Sequence, residues 1–135
     1  MDDRTLSMVA AGLRVGIGSA LVIAPGFAGL IWVGPDADGP GSKVFARAIG
    51  ARDVVLGYRT FRAAQNNEDI GGWLQIGALS DMADTVAACV AIPTFSHRRK
   101  FAMPAISGAV GVAHYLLARR QAGTADTAAA ESTPA

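Results

Sequence analysis

Two long stretches of this chain carry no formal charge: residues 15–35, and residues 101–118, where His114 is the one titratable side chain with an ordinary pKa near neutrality. A helix on the outside of a water-soluble bundle shows charge to solvent every turn or two, so a soluble four-helix bundle does not account for such runs. A helix rises about 1.5 Å per residue and needs about 20 residues to cross a hydrocarbon layer of about 30 Å. Four segments of the 135-residue chain suit that length, at about 6–24, 44–64, 70–92 and 101–118. The expectation is an all-α fold: four transmembrane helices packed as an antiparallel bundle, in a multi-pass protein of the cell membrane. Its first partner is then the lipid bilayer.

Composition agrees. Hydrophobic residues make up 51% and charged residues 17%, against roughly 25% charged in ordinary soluble domains. Mean hydropathy is a modest +0.32, because the apolar segments are rich in Ala and Gly. At this length residues 1–120 form one domain. The start, Met1-Asp2-Asp3-Arg4, is mixed in charge and no small-residue cleavage site follows, so the first apolar stretch is expected to stay in the mature protein. Ala24-Pro25-Gly26 should bend or end the first helix. Residues 27–33 are too short to span again and read as an interfacial segment or a kinked extension. Residues 34–41 read as a loop, 65–69 as a short polar turn, and 93–100 as a connection carrying His97-Arg98-Arg99-Lys100, a topology signal. The tail 121–135 has no large apolar residue and is expected to be disordered. Positive charges on the two sides are nearly balanced and lean towards both termini inside.

Several function classes drop out. A net charge of +1 gives no reason to expect nucleic acid. Cys89 is the single cysteine, which excludes an intrachain disulfide and a thiolate metal cage; in its apolar run it reads as a buried, inert thiol. No nucleophile elbow is present and the two histidines do not form a metal-ligand motif, so no catalytic residue, metal or cofactor is expected. His114-Tyr115 reads as a helix-end histidine in a polar interface in preference to a haem or quinone ligand. Trp32, Trp73 and Tyr115 read as an aromatic belt.

The informative residues are charges inside the apolar segments. Arg14 falls near the midpoint of the first segment, Arg52 and Asp53 near that of the second, and Asp81 and Asp84 near that of the third. Each would cost about 2.5–3.5 kcal/mol at mid-bilayer if left alone. Packed together they form a cluster of two cations and three anions. Gly77, Asp81, Asp84 and Ala88 follow i, i+4, i+7, i+11 and share one stripe. Ala48, Arg52, Val55 and Arg59 share a face, with Asp53 about 100° away, so Arg52 and Asp53 should find partners on other helices and not in each other. Gly12 and Gly16 form a GxxxG pair that would admit a second backbone. Such a cluster can fix helix register. Its odd carboxylate can also hold a proton or a cation, as in proton-linked transport.

The string Ala46-Arg47-Ala48-Ile49-Gly50-Ala51-Arg52-Asp53-Val54-Val55-Leu56-Gly57, followed by Trp73-Leu74 and Ser80-Asp81-Met82-Ala83-Asp84, resembles a family of small four-helix membrane proteins of unknown function, found largely in actinobacteria. The layout is more distantly similar to the DoxX-like membrane proteins. The likeness covers about residues 6–118. It implies a multi-pass membrane protein without implying an activity, and it picks out Arg47, Gly50, Arg52, Asp53, Asp81 and Asp84. With Arg14, these give the candidate intramembrane polar cluster Arg14, Arg47, Arg52, Asp53, Asp81 and Asp84. The leading expectation for function is an accessory or structural membrane protein, acting as a homo-oligomer or with a membrane protein partner. A proton-linked or small-solute transporter and a membrane oxidoreductase partner are the alternatives.

Overall fold

A computed structural model describes residues 2–32, 34–94 and 101–131. The described residues are helical throughout, apart from their connections. Helix α1 spans Asp3–Ile23, α2 Pro25–Trp32, α3 Pro40–Asn66, α4 Ile70–Ala91 and α5 Ala102–Glu131, with single tight turns at Pro35–Asp38 and Ile92–Thr94. Two of the helical stretches, Asp3–Ile23 and Ile70–Thr94, are long and apolar enough to cross a membrane.

The ends of these helices follow from local chemistry. Asp2 caps α1, its side chain accepting from the Thr5 N–H at 2.7 Å, and Asp69 caps α4 through the Gly72 N–H at 2.8 Å. Pro25 and Pro40 occupy first-turn positions, where a missing N–H costs nothing. Gly34 has φ 84°, a conformation open to glycine at no steric cost. Asn67, at φ 57°, ends α3 in the left-handed region that asparagine tolerates better than most residues. The short segment after Ala24-Pro25 is thus a separate helix, α2. The expected loop at residues 34–41 contains a helical turn and the beginning of α3. The basic run His97-Arg98-Arg99-Lys100 lies outside the described residues.

Each long helix buries a stripe spaced by alternating threes and fours. On α1 the stripe is Ser7, Ala11, Arg14, Gly18 and Leu21, and on α3 it is Gly50, Asp53, Gly57, Thr60 and Ala64. On α4 it includes Gly77, Ala78, Asp81 and Ala88, and on α5 it is Ser107, Gly111, His114 and Ala118. This 3.5-residue repeat is the pattern of helices that pack nearly parallel over several turns. The stripes consist mainly of small and polar residues. Large apolar side chains such as Leu13, Ile17, Phe45, Leu79, Val86, Val90 and Leu116 face outwards.

Helix α1 packs chiefly on α3, and α4 on α5. The first pair meets backbone to backbone. A Cβ placed on Gly50 would lie 2.5 Å from the Gly18 carbonyl oxygen and 2.8 Å from Leu21 Cβ, and one on Gly57 would lie 2.7 Å from the Ala11 carbonyl oxygen. The expected contact at Gly12 and Gly16 does not form: both are exposed, with nothing within 4 Å of an added Cβ. Gly18, on the stripe, serves instead. Cys89 is likewise exposed on the outer face of α4, and not buried as expected. Helix α5 continues to Glu131, well past residue 118 and into the segment expected to be disordered. That segment is rich in alanine, the best helix former, so the lack of large apolar residues does not stop the helix.

At the corner between α2 and α3, Lys43 Nζ lies 2.8 Å from Asp38 Oδ1. This hydrogen bond and charge hold the Asp38 carboxyl below its ordinary value of 3.8. A carboxyl depressed on folding stabilises the fold above its unfolded pKa, and the contribution is lost as pH falls through the folded value. In a carbon-13 NMR titration the Asp38 carboxyl should therefore show a midpoint below that ordinary value, returning towards it in Lys43→Ala.

The glycine contacts give a second expectation. Gly50→Ala should destabilise the protein by about 1–3 kcal/mol, since backbone cannot yield as a flexible side chain can, whereas Gly16→Ala should cause no loss. Thermal unfolding of the two variants in the same detergent compares them directly.

Candidate functional site

The stripes of four helices converge on one group of charges. Arg14 extends from α1 into the middle of the bundle and makes a two-pronged pair with Asp81 of α4, through Nη1 to Oδ2 at 3.2 Å and Nη2 to Oδ1. Its Nε and Nη2 both also donate to Asp53 Oδ1 of α3, at 3.3 Å. The same Asp53 oxygen receives Nε and Nη2 of Arg52 at 3.2 and 3.0 Å. Arg52 in turn holds Asp84 of α4 with two parallel bonds, at 2.9 and 2.7 Å. Such forked guanidinium–carboxylate pairs are the strong form of the interaction.

Followed in order, the charges make a row: Asp81, Arg14, Asp53, Arg52, Asp84. Signs alternate along it, and both ends are carboxylates. The Asp81 end is closed by His114 of α5, whose Nδ1 lies 2.9 Å from Asp81 Oδ2. A carboxylate accepts hydrogen bonds, so the tautomer that fits has the proton on Nδ1, donating to Asp81. His114 Nδ1 also lies 3.2 Å from Arg14 Nη1. The ends differ in burial. Arg14, Asp53, Asp81 and His114 are each at most 8% exposed, whereas the side chains of Arg52 and Asp84 are 32% and 27% exposed. Nearby, Thr85 Oγ1 and Ser107 Oγ lie 2.9 Å apart and tie α4 to α5.

Space for Arg14 is made by Gly77. A Cβ there would stand 2.8 Å from Arg14 Nη1, so this position on the α4 stripe is occupied by the guanidinium and not by another helix's backbone.

The Asp84 end opens into a cavity of about 320 Å³. It lies between the end of α1, α2 and the first turns of α3, with Met103 and Ser107 of α5 on its inner side. Its walls include Leu21, Gly29, Trp32, Phe45 and Ala46, and Asp84 is the one charged lining residue among the described residues. Trp32 Nε1 is buried and has no hydrogen-bond partner among the described residues. Trp73 lies elsewhere, beneath the Arg59 guanidinium at 4.7 Å.

Five of the six candidate residues therefore meet: Arg14, Arg52, Asp53, Asp81 and Asp84. Arg47 does not join them; it is exposed and donates to the Val22 carbonyl oxygen at 3.3 Å, bracing α3 against the end of α1. Asp53 points into the bundle, and Arg52 and Asp53 do find partners on other helices, in Asp84 and Arg14. The expectation that they would not also bond to each other fails. Arg52 and Asp53 do pair, because a long arginine folds along the helix surface and brings its head back to the neighbouring carboxylate. The charge-free run ends at residue 118, which makes His114 look like a helix-end residue, whereas α5 continues to Glu131 and holds it within the helix. Its signal was nevertheless present: Ser107, Gly111, His114 and Ala118 repeat the spacing of Gly77, Asp81, Asp84 and Ala88.

No family model, curated protein or solved structure matches this chain. Among the described residues no group of three or more His, Cys, Asp or Glu is placed to hold a metal ion.

Arg14→Ala would leave Asp53 with one arginine and Asp81 with His114 alone, in the most buried part of the bundle. The expected loss is about 3–5 kcal/mol, the usual effect of removing one partner from a buried pair. Arg14→Lys should recover little, since an ammonium cannot fork across two carboxylates. Arg47→Ala should be close to neutral. Unfolding curves for the three variants give the ranking.

Proposed function

We propose that this chain is a four-span integral protein of the cell membrane, with α1, α3, α4 and α5 crossing the bilayer and α2 lying near one face. Within it the charge row is a structural lock that fixes the depth and register of the helices. The observation that carries this reading is the inversion of polarity described above: apart from Leu21, Leu56 and Leu74 the buried residues are small or polar, and most of the large aliphatic and aromatic residues are outside. In water, an apolar surface extending over every long helix would be an aggregation liability; in lipid it is the ordinary exterior. The polar caps support the same layout. Asp2, Asn67 and Asp69 gather at one end of the bundle, where Arg4 reaches Asn67 Oδ1 at 2.6 Å, and the Asp38–Lys43 pair is on the chain's opposite turn. The resemblance to small four-helix membrane proteins points the same way.

A structural role for the row rests on the mutual pairing of its buried members, Arg14, Asp53, Asp81 and His114. The buried members satisfy one another, and such a network contributes less to net stability than to the choice of one packing over its neighbours. This favours an accessory or structural protein over an enzyme.

The test is the full-length chain expressed with a reporter at either terminus. Both reporters should lie on the same side of the membrane, a tag in the 34–39 turn should lie on the other, and alkaline carbonate should leave the protein in the pellet. Recovery of a monodisperse protein from the soluble fraction without detergent would overturn the proposal.

A further inference from the structure

We propose that the cavity at the Asp84 end of the charge row is a binding site for a small hydrophobic organic cation, such as a quaternary or tertiary ammonium with an apolar body. The starting point is the parity of the row. Two guanidiniums and three carboxylates give the row one formal negative charge in excess. The two ends of the row are not equivalent. Asp81 is closed by a histidine donor inside the bundle. Asp84 has Arg52 on one side and the cavity on the other. Each of its oxygens takes one bond from Arg52, and a carboxylate has about four acceptor positions, so the outward lone pairs remain available.

The walls select the rest of the ligand. At about 320 Å³ the cavity sits at the lower end of the range for small-molecule sites. Leu21, Ala46 and Met103 supply apolar contact, Trp32 places an aromatic ring on the lining, and the largely exposed Phe45 adds a second on the outward side. An aromatic face within about 6 Å of a cation attracts it, most strongly where water is excluded. A single carboxylate, aromatic rings and an apolar body-sized space together favour a charge that is weakly hydrated and spread over alkyl groups. A compact metal ion would instead require several oxygen ligands. An anion would meet Asp84 directly. The site does not depend on the number of membrane spans, so its failure and that of the four-span reading are separable.

The test uses the full-length protein in dodecyl maltoside micelles, whose headgroups carry neither charge nor an ammonium group, with empty micelles as reference. Trp73→Phe leaves Trp32 as the sole tryptophan, and its fluorescence reports the cavity. The probes are benzyltrimethylammonium and its neutral isostere neopentylbenzene, in which carbon replaces the charged nitrogen. The expected result is saturable binding of the cation at least tenfold tighter than the isostere, with Asp84→Asn losing most of that preference. Ala46→Leu, which fills the cavity without touching the row, should abolish binding of both. Equal affinity for the two probes would mean an apolar cavity without charge recognition and would overturn the proposal, as would the absence of saturable binding. The two-probe comparison on the otherwise unaltered protein decides the matter even if Asp84→Asn fails to fold.

Discussion

An arginine with helices on every side can be neither hydrated nor left alone. Arg14 is in that position, and most of the architecture follows from meeting its needs. Its guanidinium needs acceptors on more than one side, which brings Asp53 from α3 and Asp81 from α4 to the same level. Those carboxylates then need further donors, which Arg52 and His114 provide. It also needs room, which Gly77 leaves. Removing any of these partners exposes the others to an environment in which an unpaired charge is costly. The register of all four long helices is therefore tied to one side chain.

The remainder of the interior is built to let that happen. Stripes of Ala, Gly and Ser bring backbones close enough for short polar side chains to touch. Most of the hydrophobic bulk is on the outside, where it cannot separate the helices; among the described residues the large apolar side chains that are buried are Leu21, Leu56 and Leu74. A conventional leucine core would hold the helices further apart and displace the charges from one another. Close approach and charge pairing are thus parts of one solution, and the heptad-like spacing on each helix is its sequence signature.

Much of this was legible in the sequence. The four mainly apolar segments of about 20 residues predicted the long helices, and the placement of Arg14, Arg52, Asp53, Asp81 and Asp84 near the middle of their segments predicted that they would meet. The failures have physical causes. Gly12 and Gly16 matched a contact motif, but motif spacing does not say which face of a helix turns inwards; the position of Arg14 does, and it selects Gly18. Arg47 was brought in by resemblance, one turn beyond the level where the other charges gather. The exclusion of an Arg52–Asp53 pair treated side chains as rigid radial vectors, which suits short residues better than a four-bond arginine. His114 was set aside because the alanine-rich tail concealed the true length of its helix.

The two helix pairs differ in how they are joined. Between α1 and α3 the contact at Gly18, Gly50 and Gly57 is largely main chain on main chain, which leaves few rotamers to rearrange. Across to α4 the fastening is electrostatic, through the forked grips of Arg14 on Asp81 and Arg52 on Asp84. Any separation of the α1–α3 pair from α4 would therefore have to part those two grips. Of the two, the Arg52 grip is the one that meets the surroundings, while the Arg14 grip is enclosed on every side.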